Sequence, residues 1–469
     1  MSELNIKKEF KLRFAFYIIL PFFFFIYGKA GAANPPNFLI LVASDAAPDF
    51  GCYGNSNVLS PSIDDLAGKG IIFQNAFLAS TESSAELISL LSGLYAHTTR
   101  TEDEGTLLPD SVTLITSLLR REDYISGYLD ADTIDAGIAG QFDWHSPDLR
   151  RLGFFLDSVK RKPFFTVIRL KGPRRPFTDS LPDKIHNPDN IIVQSNLVDD
   201  EATRKDIALY YDALSRLDSL VNYCVTTLKS SRKYGNTIII FLSSGSAPFP
   251  GEKGTLYDRG IKIPLIIAGK PVKGSGMNYD GLVSSIDIAP TLLSLAEVPV
   301  PGKMPGIDFS LLLKGNIALG RDFIFAERNW HDCDEHMRCV RNTQYKMILN
   351  SYLSKPFGSP ADVLSSPSWK SLLQQYRQGR LSYDQKLIFN APRPEIELYD
   401  IRNDPTEYIN IANEPAYRKT VSDMLRVLVQ WMDDTGDFPS VNRTRADWID
   451  RLSGERLLKR RPPVENDIQ

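Results

Sequence analysis

Few side chains in this 469-residue sequence have the type and spacing to do chemistry. The four cysteines, Cys52, Cys224, Cys333 and Cys339, contain no CxxC pair, and with only five histidines they lend a zinc site no support. Cys333 and Cys339 alone are close in sequence, and Cys52 and Cys224 read as buried free thiols. Ser83, in STESSAEL, is a plain hydroxyl with a high pKa and no evident base to activate it, and its place before a helical stretch reads as a helix cap. Arg174 and Arg175 in GPRRPF could attract an anion, although paired arginines before a proline are also commonly solvated. The formal net charge of −3 supplies no long-range field for nucleic acid or an anionic membrane surface, so an anionic ligand would have to be held by local groups.

The elements that must position these residues follow from hydrophobic pattern. NFLILVA, from Asn37 to Ala43, is continuously apolar and β-prone, as a parallel strand buried on both faces is. PFFTVIRL (163–170), NTIIIFL (236–242) and IPLIIA (263–268) repeat the pattern and alternate with helical stretches, which is the signature of a doubly wound sheet. Ile207, Tyr211, Leu214, Leu217, Val221, Cys224 and Leu228 recur every three or four positions and predict a long helix with one buried stripe. A further helix is expected to follow Asp110 and run through Leu118 and Leu119, capped by Asp110 or Ser111. After Gly315 the alternation weakens, which places a boundary near 316 to 320 and a smaller second domain beyond it. That domain is expected to pack a short antiparallel sheet and a helix from about Lys419 to Met432. Beyond Val441 the chain is charged, carries Pro462-Pro463 and reads as a mobile tail.

Before residue 34, Lys7, Lys8, Lys11 and Arg13 precede an apolar run from Phe14 to Tyr27 and then Ala30-Gly31-Ala32, the pattern of a secretory signal peptide. The run is interrupted by Pro21 and is shorter than the roughly 20 residues that span a bilayer, so no membrane span is expected after cleavage. The domain reading is therefore a leader over 1–33, an α/β domain over 34–318, an α+β subdomain over 319–440 and a polar tail over 441–469. Secretion or a periplasmic location follows.

Read in order, PNFLILVASD, FGCYGN, SPSIDDLAGKGIIFQNAF, LLSGLYAH, KGTLYDRGIKIPLII, SSIDIAPTLLSLAEV and ELYDIRNDPTEYINIA resemble the landmarks of the sulfatase family over about 36 to 415. The PFP at 248–250 and ERNWHDCDEHMRCVR at 327–341 are most similar to its heparan N-sulfatase branch. The resemblance implies an alkaline phosphatase-like α/β fold, a doubly wound, mostly parallel sheet with a smaller C-terminal α+β domain. It also implies sulfuryl transfer at a site holding calcium and a formylglycine made from the Cys or Ser that opens a C/S-x-P-x-R motif.

The same alignment shows what this chain lacks. Ser83 falls at the nucleophile position, with Ala85 and Leu87 where the motif's Pro and Arg belong, so the modification signal is broken. Calcium takes six to eight oxygen ligands. Of the family's two ligand pairs, the first is Ser44-Asp45 here and the second Ser244-Gly245, leaving Asp45 as the one retained carboxylate. Asp49, at another common family position, is expected to face solvent or cap a turn. The Gly-Lys-x-His segment is replaced by Asp130, Ala131, Asp132 and Thr133, and the His of x-P-H-x-P by Arg174.

Lys253 matches a sulfate-contacting position and is the leading anion-binding candidate, a salt bridge being the alternative. His97 is read as structural and Tyr257 as a core aromatic. Trp330, His331 and His336 match a region that reaches over the pocket toward sugar, or else they pack between domains. The expectation is an exported, catalytically inactive sulfatase homologue with neither calcium nor formylglycine, binding a sulfated or anionic glycan or a partner protein. The alternative is an active sulfate ester or N-sulfate hydrolase with an altered site.

Overall fold

Strands in this chain are set by runs of branched apolar residues that can be covered from both sides. A computed structural model describes residues 34–102, 108–130, 136–177, 186–316, 320–438 and 446–458. The expected leader, Ala131 to Thr133 and the centre of the expected domain boundary lie outside the described residues. No helix among the described residues is long and apolar enough to cross a membrane.

The first sheet contains β1 (Asn37–Ala43), β2 (Gly70–Phe77), β3 (Ile125–Asp130), β4 (Trp144–Ser146), β5 (Phe164–Leu170), β6 (Thr237–Ser243), β7 (Lys262–Ile263), β8 (Leu265–Ala268) and β9 (Met277–Ser284). Its order is β4-β3-β5-β1-β6-β8-β2-β7, with β9 also paired to β2. β1 is central, parallel to β5 on one side and β6 on the other. Its alternate residues enter different cores, as a period of two requires. Phe38, Ile40 and Val42 pack with Leu87 and Leu91 of the helix Ser83–Ser92, and Leu39, Leu41 and Ala43 pack with Leu214, Leu217 and Val221 of the helix Glu201–Ser230.

Two expectations change. The apolar run at 263–268 is not another parallel strand: β8 is antiparallel to both β6 and β2, so the sheet is mixed. A continuously apolar run reports burial on two faces and is silent about direction. The helix expected after Asp110 begins only at Ile115, and its N-terminus, at Leu114, has no side-chain cap, so neither Asp110 nor Ser111 caps it.

The second sheet is antiparallel, with β10 (Ile324–His331), β11 (Cys333–Arg341), β12 (Tyr345–Asn350) and β13 (Ile396–Asp400) in sequence order. The helix Arg418–Thr435 covers it, burying Met424, Leu428 and Trp431 against Val340, Met347 and Leu398. All four cysteines are free. Cys333 and Cys339 lie six residues apart along β11, roughly 20 Å at the rise of an extended strand, which no disulfide can bridge.

Part of the expected mobile tail is packed. Ile449 joins a cluster with Leu364 and Trp369, and Arg451 is buried, with its guanidinium 2.6 Å from Glu335 and 2.9 Å from Asp447. Burial alone would raise the Glu335 carboxyl, but Arg393 and Arg451 overcome it and hold it at about 2. Removing one partner of a buried pair leaves an uncompensated charge. Arg451→Met is therefore expected to cost about 3 kcal/mol of stability, read as a lower urea midpoint at unchanged slope.

Candidate functional site

β1 and β6 are parallel neighbours paired through Ala43 and Ser243, so the residues after them emerge side by side at the carboxyl edge of the sheet, where open α/β sheets place their sites. Ser244 donates its backbone N–H to the Ala43 carbonyl at 3.0 Å, and the Ser243 hydroxyl accepts from Ala46 N–H at 3.0 Å. These bonds lock the two strand ends together. Asp45 takes a left-handed backbone, φ 56°, and is buried.

Ser83 arrives from the third element, as the first residue of the helix Ser83–Ser92. It is not the cap expected from sequence, because Glu82 is, accepting from Ala85 N–H at 2.7 Å. Gly245 brings the groups together. A Cβ on Gly245 would lie 2.7 Å from Asp45 Oδ1 and 3.4 Å from Ser83 Oγ, so a side chain at this position would displace the carboxylate. No hydrogen bond joins Ser83 to Asp45 or to a base among the described residues. Ala85 and Leu87, two and four residues on, are fully buried, Leu87 in the apolar core.

The counter-ion of Asp45 is a lysine. Lys253 Nζ donates to Asp45 Oδ2 at 2.8 Å and to Asp362 Oδ2 at 2.7 Å. Burial opposes the charge on Lys253, but the two carboxylates outweigh it and raise its pKa further. Asp362, half-buried, is held below the usual carboxylate range by Lys253 against the effect of burial. Asp45 is raised, because its desolvation exceeds the attraction of Lys253. Arg328 positions this bridge by donating to the Gly254 and Gly358 carbonyls, so it ties the turn carrying Lys253 to the segment leading to Asp362. Gly254 has φ +82°, and a Cβ there would collide with that guanidinium. Nothing in the sequence marked Asp362, which is 109 residues from Lys253 and belongs to no motif.

This donor set does not suit calcium. Asp45 is the one carboxylate among Ser44, Asp45, Ser244 and Gly245, and an ammonium group already lies between it and Asp362. No group of three or more His, Cys, Asp or Glu suited to a metal is present among the described residues.

The remaining candidates scatter. Arg174 is exposed and close enough for its charge to act on Asp45, whereas Arg175 is not the solvated surface arginine expected. It is buried in a bidentate pair with Asp206, both contacts at 2.7 Å, and lies 4.5 Å over the Phe177 ring. Asp49 turns inward to the Tyr210 hydroxyl, and burial pushes it up to about 6. His331 Nδ1 donates to the Asp332 carboxylate at 3.1 Å. Trp330 instead packs edge-on against Trp448 at 4.8 Å. Tyr257 donates to Glu397 at 3.0 Å.

His97 and His336 belong to one buried network. His97 Nδ1 is 2.9 Å from Glu327, and Arg338 pairs with Asp437, near which His336 Nε2 lies at 3.7 Å. Glu327 raises the His97 pKa despite burial, whereas burial first and Arg338 second lower that of His336 to about 4.

A mixed, mostly parallel sheet with a ligand edge formed by the ends of β1 and β6, backed by a four-stranded antiparallel sheet, defines the alkaline phosphatase-like class. The sulfatase family description matches residues 36–144 and 150–298, and that of the N-sulphoglucosamine sulphohydrolase C-terminal region matches 251–356. The chain belongs to the sulfatase family. It is 24% identical to human N-sulphoglucosamine sulphohydrolase over 93% of this chain and 96% of that protein. It is 23% identical to an ulvan-active sulfatase of Formosa agariphila over 89% of this chain and 78% of that protein. Among solved structures, a putative sulfatase from Bacteroides thetaiotaomicron superposes with a TM-score of 0.67 at 21% identity, covering 86% of this chain and 93% of the other. A structure described as a complex with its substrate D-glucosamine-2-N,6-O-disulfate superposes with a TM-score of 0.67 at 16% identity, over 86% and 99%.

Two outcomes follow from this geometry. Lys253→Met leaves Asp45 and Asp362 facing each other without a cation and is expected to lower stability by about 3–5 kcal/mol, and adding Asp362→Asn should restore part of the loss in thermal or urea unfolding. His336 is neutral in the folded protein down to about pH 4, whereas in the unfolded chain it takes a proton near its ordinary value of 6.5. Its contribution is therefore present above pH 6.5 and is lost as pH falls toward 4. The unfolding free energy of wild type relative to His336→Gln should fall by on the order of 3 kcal/mol across that window.

Proposed function

We propose that this protein is an exported, non-catalytic sulfatase-family member that binds a sulfated or otherwise anionic glycan at the pocket between β1, β6 and the start of the helix Ser83–Ser92. The observation that carries this reading is the Lys253 ammonium held between Asp45 and Asp362. Sulfuryl transfer develops charge on the transferring oxygens and the leaving group, and it needs preorganised positive charge and an activated nucleophile. Here the lysine's charge is engaged by two carboxylates, and no base is bonded to the Ser83 hydroxyl among the described residues. The basic residues followed by an apolar run before residue 34 support export.

A glycan sulfate entering this pocket meets Arg174 at the exposed side and competes with Asp362 for Lys253. Asp362 is the replaceable partner because it is half-buried, while Asp45 is enclosed. No resident calcium takes part, and a partner protein is the other occupant to be tested. A second reading, hydrolysis of a sulfate ester or N-sulfate, is favoured by likeness across nearly the whole chain to proteins named as sulfatases and a sulphohydrolase.

The test combines binding and turnover on one preparation of the mature protein. Sulfated glycosaminoglycan oligosaccharides should bind in a salt-sensitive way, with affinity rising about tenfold in Asp362→Asn as competition for Lys253 is removed. Inorganic sulfate should not be released, bound calcium should be absent and the Ser83 peptide should have unmodified mass. Sulfate release with stoichiometric calcium and an aldehyde at Ser83 would establish the hydrolase reading instead. Absence of glycan binding in both wild type and Asp362→Asn would refute the glycan and point to a protein partner.

A further inference from the structure

Residues 446–458 belong to neither sheet, yet they are fastened to the segment that supplies Asp362. They close on themselves. Leu457 donates its backbone N–H to the Trp448 carbonyl at 2.8 Å, Asp450 to the Glu455 carbonyl at 2.9 Å and Gly454 to the Asp450 carbonyl at 2.9 Å. The result is a compact loop packed on the protein rather than a loose tail.

This loop grips the short helix Ala361–Leu364 from both ends. At one end it acts through the turn between β10 and β11. Trp448 N–H donates to the Asp332 carbonyl at 2.8 Å, the Asp447 carboxylate accepts from Asp334 N–H at 3.0 Å, and Arg451 donates to the Asp334 carbonyl at 2.9 Å. Asp332 passes the hold on, since its carboxylate accepts from Ala361 N–H, next to Asp362, at 2.9 Å. At the other end the contact is direct. Ile449 packs in one cluster with Leu364, and a Cβ on Gly454, whose φ is +72°, would lie 2.9 Å from Leu364 Cβ. Arg451 also donates to the Pro356 carbonyl at 2.8 Å, on the approach to the helix. A helix of four residues does not hold its own conformation. What fixes the Asp362 carboxylate is therefore what grips the helix ends.

We propose that residues 446–458 are an autoinhibitory strap, which clamps the helix Ala361–Leu364 so that Asp362 stays on Lys253 and the ammonium group is withheld from an incoming anion. By the reciprocity of coupled equilibria, an anion that takes Lys253 from Asp362 loosens the strap in return. The inhibitory role rests on the reading of Lys253 as the anion-binding group, whereas the clamp on Asp362 does not, and the two are read separately below.

Acetylation of the full mature protein by limiting acetic anhydride, read lysine by lysine by mass spectrometry, tests the clamp. Lys346, fully buried between Asp258 at 2.9 Å and Glu407 at 3.0 Å, reports general loosening. Asp362→Asn should raise the Lys253 rate about tenfold, because the neutral amine reacts and a lost carboxylate partner favours it. Gly454→Val, which forces the strap off Leu364, should approach the same rate with Lys346 unchanged, and the double variant should not exceed Asp362→Asn. A wild-type Lys253 rate in Gly454→Val, or a double variant in which the two effects multiply, would overturn the clamp. Should Lys346 react faster in Gly454→Val, Trp448→Ala decides by the same comparison, and faster Lys346 in both would make the loop a part of the core and overturn the strap. Heparin-derived oligosaccharides then test the inhibitory role: affinity should rise about tenfold in Gly454→Val. Binding to wild type that Gly454→Val leaves unchanged would overturn that role. Faster Lys253 acetylation with no oligosaccharide bound to any variant would uphold the clamp and refute the glycan reading instead.

Discussion

The Lys253 bridge is the contact on which the arrangement of the site depends. Asp45 follows the central strand of the large sheet, and Asp362 lies in the short helix Ala361–Leu364 between β12 and β13. One ammonium group bonds both. Asp45 and Lys253 are shielded from water, so either would be costly without the other, and the half-buried Asp362 completes the bridge. Arg328 lies on β10 and fastens both approaching segments through their carbonyls, so the register of the second sheet decides whether the lysine and the second carboxylate meet.

This bridge changes the electrostatics that the family landmarks would lead one to expect. A divalent cation carries a charge that several carboxylates balance and leaves positive potential facing an incoming anion. A lysine shared between two carboxylates leaves none of its own. Arg174, on the exposed side, is close enough for its charge to act on Asp45. Gly245 belongs to the same arrangement, since the Asp45 carboxylate occupies the space that a side chain there would need.

Much of the scaffold was legible because it rests on local patterns. The run from Asn37 to Ala43 could only be a strand buried twice over, and the stripe from Ile207 to Leu228 could only face one core. Strand direction at 265–268 was not legible, since burial on both faces is common to parallel and antiparallel neighbours. The helix start at Ile115 was missed because good capping residues at Asp110 and Ser111 lie in a turn instead. Arg175 was misjudged because its partner, Asp206, is on a distant helix.

The sequence by itself determined the class of fold and the order of the landmarks, because those rest on residue patterns that are local in the chain. Tertiary structure alone decided which side chains meet at the site. Asp362 meets Lys253, Glu82 rather than Ser83 caps the helix, and Arg451 returns from the tail to Glu335, since each is a contact between segments that no local pattern relates. Buried charge must be neutralised by whatever the fold brings within reach, and reach is a property of three dimensions.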